Sequence, residues 1–259
     1  MPISYILLIS LVLSLLVYVF FYYISVIQKN NNWADYAWAV GFAVIAMASY
    51  LLGGRHDLSK QFLVTTLVLM WSARLLIHII TRNRSAGEIY RYKSLRIKWG
   101  SKAVLYSFIR IYLLSWLLMN LVAFPIVAIN SSGGYALTKI ELIGIIVWAV
   151  GFVYETVADY QLYHFKQADG NKKKVFTGGL WKYSRHPNYL GEILMWIGLY
   201  LAALPYTYGS LAIISPVIIT LMLLGITGIP AIEKRFRENS SYQKYRKKTS
   251  ILIPWYPRG

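Results

Sequence analysis

The stretch best equipped for chemistry is Lys182-Tyr183-Ser184-Arg185-His186-Pro187-Asn188-Tyr189-Leu190-Gly191-Glu192, which closes a basic, glycine-containing loop and opens the apolar run 193–204. Pro187 suits the first turn of a helix, where a missing N–H costs nothing. Asn188 and Glu192 then stand one turn apart on one helix face. An amide and an acid where a basic loop enters an apolar segment are costly without partners. They either cap a helix above a snorkelling basic belt or hold a polar ligand. Glu155 and Asp159 repeat the i, i+4 spacing; like charges there repel, which needs cations or ligand hydroxyls nearby. Arg74, with His78 one turn on, lies inside an apolar run and needs a partner or a wet cavity. Asp35 opens another run, where it either complements a helix dipole or faces inward as a proton donor or orienter. The loop expected after the third apolar run, 81–96, mixes Arg82, Asn83, Arg84, Arg91 and Arg96 with Tyr90 and Tyr92. That mixture suits arginine forks to phosphate and aromatic faces against a purine.

The elements that position these residues are membrane helices. The chain has 259 residues, is 57% hydrophobic and carries a formal charge of +17, with a mean hydropathy of +0.48. Several apolar runs of about 20 residues exclude a soluble domain. The expected fold is all-α and polytopic, with seven spans at roughly 3–27, 35–52, 61–80, 104–129, 139–160, 189–204 and 209–229, the fourth long and the sixth short. The three basic segments follow odd-numbered spans, which puts the N-terminus outside and the C-terminus inside. The first run has no basic n-region or small-residue cleavage site and is expected to remain as a mature helix. There is no cysteine, hence no disulfide and no thiolate nucleophile or ligand. The four histidines are scattered, so no metal site is expected. No strand pattern and no G-x-G-x-x-G after a strand are present, so a dinucleotide would not sit on a Rossmann fold. The basic excess reads as topology and attraction to anionic lipid, with no nucleic-acid partner. The tail from Glu233 to Trp255 is either an amphipathic interfacial helix or a lid.

Arg185 through Glu192, together with Trp196-Ile197-Gly198, resembles the C-terminal signature of the steroid 5α-reductase family, most closely its bacterial branch. The similarity runs upstream through Glu155, Asp159 and Thr177-Gly178-Gly179-Leu180, and downstream from Tyr245 to Ile253-Pro254. It covers the second half of the chain; the first half matches at Asp35 and at 71–84. The resemblance implies a seven-helix enzyme of the bacterial inner membrane that reduces the 4,5 double bond of a 3-oxo-Δ4-steroid or similar lipophilic enone with NADPH. It implies that residues 1–130 mainly face substrate and 131–259 mainly bind NADPH. It sets Asp159, Asn188, Glu192, Lys166 and Lys174 against the cofactor. With the polar positions around them, the expected cofactor-binding set adds Arg74, Arg82, Asn83, Arg84, Arg96, Glu155, Arg185, His186, Tyr189, Arg235, Tyr242 and Tyr245. The family's glutamine–glutamate pair on helix two is replaced here by Ala34-Asp35, and Trp71 stands where a helix-three tyrosine belongs. Asp35, kept protonated by shielding from water, is then the expected carbonyl-polarising acid, with Tyr36 as an alternative phenol donor and Trp38 and Trp71 lining the substrate. The Arg-His-Pro-x-Tyr core is shared with the isoprenylcysteine methyltransferase family, which implies S-adenosylmethionine instead. Charge separates the two: a 2′-phosphorylated dinucleotide needs several cations around it, whereas S-adenosylmethionine is itself cationic.

Overall fold

The structure, a computed structural model, describes residues 1–53, 58–83, 87–132, 137–168, 174–226 and 228–258. Arg84, Lys172 and Lys173 lie outside the described residues. Among those described, regular structure is helical, apart from an isolated bridge between Ser184 and Ser250. The helices are α1 (Ile3–Gln28), α2 (Trp33–Leu52), α3 (Leu58–Asn83), α4 (Tyr90–Val122), α5 (Phe124–Asn130), α6 (Lys139–Gln167), α7 (Pro187–Ala203), α8 (Gly209–Arg235) and α9 (Ser240–Lys248). Six of these, α1, α2, α3, α4, α6 and α8, are long and apolar enough to cross a membrane. The remaining expected span, 189–204, coincides with α7, whose 17 residues rise about 25 Å against a hydrocarbon core of about 30 Å.

Residues 81–83 and 90–96 are helical rather than part of the loop expected from their charge. Helix α3 runs on to Asn83, and α4 begins at Tyr90. Tyr90–Trp99 holds no glycine or proline and is rich in arginine, lysine and leucine, good helix formers. Arg96 and Lys98 occupy its last turn, where the helix dipole favours cations. α4 then passes through a 3-10 turn at Gly100–Lys102 and a π-turn at Phe108–Leu113. Asn32 lies at the expected start of α2 but makes no side-chain cap. Its amide is used elsewhere: Oδ1 accepts from Ile89 N at 2.9 Å, and Nδ2 donates to Gly87 O.

The chain divides into two compact units, 1–139 with 203–215, and 140–202 with 216–259. In the first, α1 lays Ile6, Ser10, Ser14 and Tyr18 on one buried stripe, the four-residue spacing of a helix face. Small residues there let helices approach closely, as apolar lipid alone would not drive them together. Asn120 and Trp116 of α4 hydrogen-bond Ser14 at 3.2 and 3.1 Å. Fully buried Asn130 ties α5 to α2 and α3, its Nδ2 lying 2.9 Å from Ser49 Oγ and 3.1 Å from Thr65 Oγ1.

In the second unit, α6 and α7 meet along two heptad-spaced glycine pairs. A Cβ on Gly144 would fall 2.5 Å from Gly198 O, and one on Gly151 2.5 Å from Gly191 O. Seven residues return a helix to nearly the same face, so the two backbones are in contact along a seam with no side chain between them. That seam sets Glu155 against Gly191, in the middle of the polar signature.

Candidate functional site

Each unit carries one polar cluster. In the first, Asp35 of α2 is an acceptor twice over. Arg82 Nη2 donates to its Oδ2 at 2.7 Å and Tyr92 OH to its Oδ1 at 2.7 Å, with Arg91 Nη2 at 3.9 Å. Arg91 also donates to the Tyr92 oxygen at 2.7 Å and lies over its ring. The hydroxyl that Asp35, the expected carbonyl-polarising acid, holds at its side chain belongs to Tyr92. Tyr92 is buried at 5% exposure; from sequence it read as an aromatic face for a purine rather than as a partner of Asp35. Asn83 reaches the Tyr36 oxygen only at 3.4 Å. A second carboxylate, Glu88, accepts from Asn31 N at 2.9 Å and from Arg96 Nε and Nη2 at 3.0 and 2.7 Å. Arg82 and Arg96, both expected at the cofactor, thus each hold an acid. Trp38 and Trp71 flank Phe42 edge-on at 5.2 and 5.1 Å, so both are part of the α2–α3 packing. Arg74 is half-buried on α3, one turn before His78.

Glu155, Asp159, Lys166, Lys174, Arg185, His186, Asn188, Tyr189, Glu192, Arg235, Tyr242 and Tyr245 all fall within the second unit. The segment before α7 is braced from two sides. On one, Trp181 Nε1 donates to Ala158 O at 3.0 Å and Gln161 Oε1 accepts from Leu180 N at 3.0 Å. Gln161 also fills the space where Gly179, at φ +54°, would carry a Cβ; only glycine meets both demands. On the other side lies the tail. Arg185 N donates to Ser250 O at 2.8 Å, Ser184 Oγ to Leu252 O at 2.7 Å, and Trp255 N to Tyr183 O at 3.0 Å. The Tyr245 hydroxyl donates to Trp181 O and lies 3.2 Å from Ser184 O; burial pushes its pKa up. Arg185, 8% exposed, pairs with Glu233, whose other oxygen takes Arg246 Nε at 3.2 Å. Arg185 and Tyr245 therefore lock the tail to the signature, with the Tyr242 ring packed against Tyr245 within the tail. Glu233, which the sequence reading left among tail charges, is the acid that makes this lock.

Inside the lock, His186 is 2% exposed and stacks flat on Tyr189 at 5.2 Å. Burial, then the adjacent Arg185 charge, pushes its pKa down to about 4, so the imidazole is neutral near pH 7. Its Nε2 and the Asn188 Oδ1 are buried with no hydrogen-bond partner among the described residues. Such atoms cost about 1–3 kcal/mol each unless a ligand or water meets them. Lys166 donates to Lys174 O and lies within electrostatic reach of Arg235, a pairing of cations that an anion would relieve. Among the described residues no group of three His, Asp or Glu could hold a metal ion.

A family model described as DUF1295, protein of unknown function, matches residues 21–249. The chain belongs to the DUF1295 family. Among its relatives, a probable O-methyltransferase of Ustilaginoidea virens is 39% identical over 93 residues, covering 36% of this chain and 33% of that protein. A very-long-chain enoyl-CoA reductase of Dictyostelium discoideum is 27% identical over 113 residues, covering 44% of this chain and 35% of that protein. A 3-oxo-5-alpha-steroid 4-dehydrogenase 1 of Rattus norvegicus is 27% identical over 114 residues, covering 44% and 41%. The chain thus spans about a third to two fifths of the length of these relatives. No solved structure matches it.

Proposed function

We propose that the protein is a membrane-embedded, NADPH-dependent reductase of a lipophilic enone, a 3-oxo-Δ4-steroid or a molecule of similar shape. The observation that carries this reading is the pair of orphaned buried atoms, Asn188 Oδ1 and His186 Nε2, within a unit rich in cations. An unpaired amide oxygen accepts from an N–H such as that of a nicotinamide carboxamide. Lys166, Lys174 and Arg235 suit phosphate, and the two reductase-named relatives point to reduction of a carbon–carbon double bond. Asp159, Asn188, Tyr189 and Glu192 would hold the nicotinamide end, and NADPH would supply the hydride. In the first unit the Tyr92 hydroxyl donates its one proton to Asp35 and accepts from Arg91; it would serve a carbonyl oxygen on which charge develops by turning that proton from Asp35 to the substrate. The balance is simple: hydride to the β-carbon, a proton to the α-carbon, and NADP⁺ released. The six long apolar helices support work in a membrane, for which the bacterial inner membrane is the proposed home.

The test is isotopic. With full-length protein in detergent, deuterium from C4-labelled NADPH should appear on the β-carbon of a testosterone-like enone. The O-methyltransferase-named relative favours a second reading, S-adenosylmethionine-dependent methyl transfer to the α-carboxylate of an isoprenylcysteine-like substrate, giving a methyl ester and S-adenosylhomocysteine. Transfer of labelled methyl to the carboxylate of a prenylcysteine, with no deuterium transfer, would establish that reading instead.

A further inference from the structure

The C-terminal segment does more than brace the signature. Beyond α9 it encloses a cavity of about 570 Å³, whose lining includes Arg246, Lys247, Lys248 and Arg258 but no acid. Its shape is fixed by backbone bonds: Arg258 N donates to Lys248 O at 2.9 Å, and Trp255 N to Tyr183 O at 3.0 Å. The first of these joins the main chains of two cationic lining residues, Lys248 and Arg258. Glu233 pairs with Arg246, but among the described residues no carboxylate pairs with Lys247, Lys248 or Arg258. Like charges held together by the fold favour an anion between them.

The rim of the cavity is apolar. Ile251, Ile253 and Trp255 alternate outward along an extended stretch at 47%, 69% and 71% exposure, and Tyr256 follows at 80%. The intervening Ser250 and Leu252 carbonyls face inward and hold Arg185 and Ser184. An apolar, aromatic edge of this kind is a liability in water and favourable at the border of headgroups and acyl chains, where tryptophan and tyrosine collect. The last apolar stretch ends at Arg235 and α9 follows from Ser240, so where α8 spans a membrane the chain enters this segment from the membrane surface.

We infer that this cavity binds the phosphate headgroup of an anionic phospholipid, with Lys247, Lys248 and Arg258 on the phosphate and Ile253, Trp255 and Tyr256 against the first acyl carbons. The occupant is a membrane lipid rather than a free phosphate because the cations and the apolar rim are contiguous. The site is independent of the reductase reading.

The test titrates full-length protein in neutral detergent with short-chain phosphatidylglycerol, with phosphatidylcholine of the same chain length, and with inorganic phosphate, and follows the melting temperature. Phosphatidylglycerol should raise it saturably and phosphatidylcholine should not. The exposed-site variant Lys247→Gln/Lys248→Gln/Arg258→Gln should weaken phosphatidylglycerol about a hundredfold, at roughly fivefold per cation, and leave the lipid-free melting temperature unchanged. Trp255→Ala/Tyr256→Ala should weaken it less and only for the lipid. Equal stabilisation by phosphatidylcholine, or an unchanged phosphatidylglycerol response in the triple variant, overturns the proposal. Stabilisation by inorganic phosphate at matched concentration overturns the lipid assignment in favour of a free phosphate. Loss of NADPH stabilisation in the triple variant, with the lipid response intact, would return the cavity to the nucleotide.

Discussion

The glycine seam of α6 and α7 can be tested against its own opposite. Glycine inside a helix is intrinsically worse than alanine by about 1 kcal/mol, so propensity alone makes Gly191→Ala stabilising. Packing says otherwise. The new Cβ would sit 2.7 Å from Glu155 N and 2.7 Å from Gly151 O, against an ordinary contact of about 3.4 Å or more. Both are backbone atoms and cannot rotate away, so the helices must part by roughly 0.7 Å along a close-packed seam. Overpacking of this kind costs about 1–3 kcal/mol, leaving Gly191→Ala a net loss of up to ~2 kcal/mol once the propensity gain is subtracted. At about 2–4 °C per kcal/mol for a chain of this size, the melting temperature should fall by several degrees. Gly87→Ala is the internal control, because its Cβ meets nothing within 4 Å; it should stay within about 0.5 kcal/mol of wild type. Thermal unfolding in detergent, followed by tryptophan fluorescence, reads both. A Gly191→Ala protein that melts with or above wild type would refute the close approach, and with it the placement of Glu155 beside the signature.

The remaining expectations concern the two clusters. Glu233→Gln leaves Arg185 buried and poorly compensated and should cost about 2–4 kcal/mol, whereas Arg185→Met/Glu233→Met should cost less; denaturation of the three proteins checks the order. His186 is depressed in the fold, so between about pH 6.5 and 4 the unfolded chain binds the extra proton. Stability should therefore fall as pH drops through that window, by up to roughly 3 kcal/mol, and His186→Gln should flatten the profile. Tyr92→Phe removes the proposed carbonyl donor and should lower kcat at least a hundredfold with the KM for NADPH unchanged. Asp35→Asn should lower kcat less, since Arg91 still polarises the phenol; wild-type turnover in both variants would remove the first cluster from the chemistry. Asn188→Ala should abolish stabilisation by NADPH while leaving insertion and folding intact, as a melting curve with and without the nucleotide would show.

The helical, membrane-spanning character was legible because apolar run length is a property of composition alone. The signature around Asn188 and Glu192 was legible because residue type and spacing fix a helix face. Three features were not. Residues 90–96 read as loop because their charges mask a helix whose start is held by Glu88 to Arg96 and Asn31, and by Asn32 to Ile89. Tyr92 reaches Asp35 only because that helix exists, and no local pattern announces a contact 57 positions apart. The tail read as lid or amphipathic helix because its role lies in backbone bonds from Ser250, Leu252 and Trp255, which side-chain periodicity does not encode. The glycines at 144, 151, 191 and 198 did carry a sequence signal, a matched seven-residue spacing in two apolar runs, and that signal would have paired α6 with α7.

The most direct measurement of the central claim is a ligand-dependent melting curve of the purified full-length protein. NADPH should raise the melting temperature at micromolar concentration, NADH much more weakly because it lacks the 2′-phosphate that Lys166, Lys174 and Arg235 favour, and S-adenosylmethionine not at all. Stabilisation by S-adenosylmethionine with none by NADPH would contradict the reductase reading.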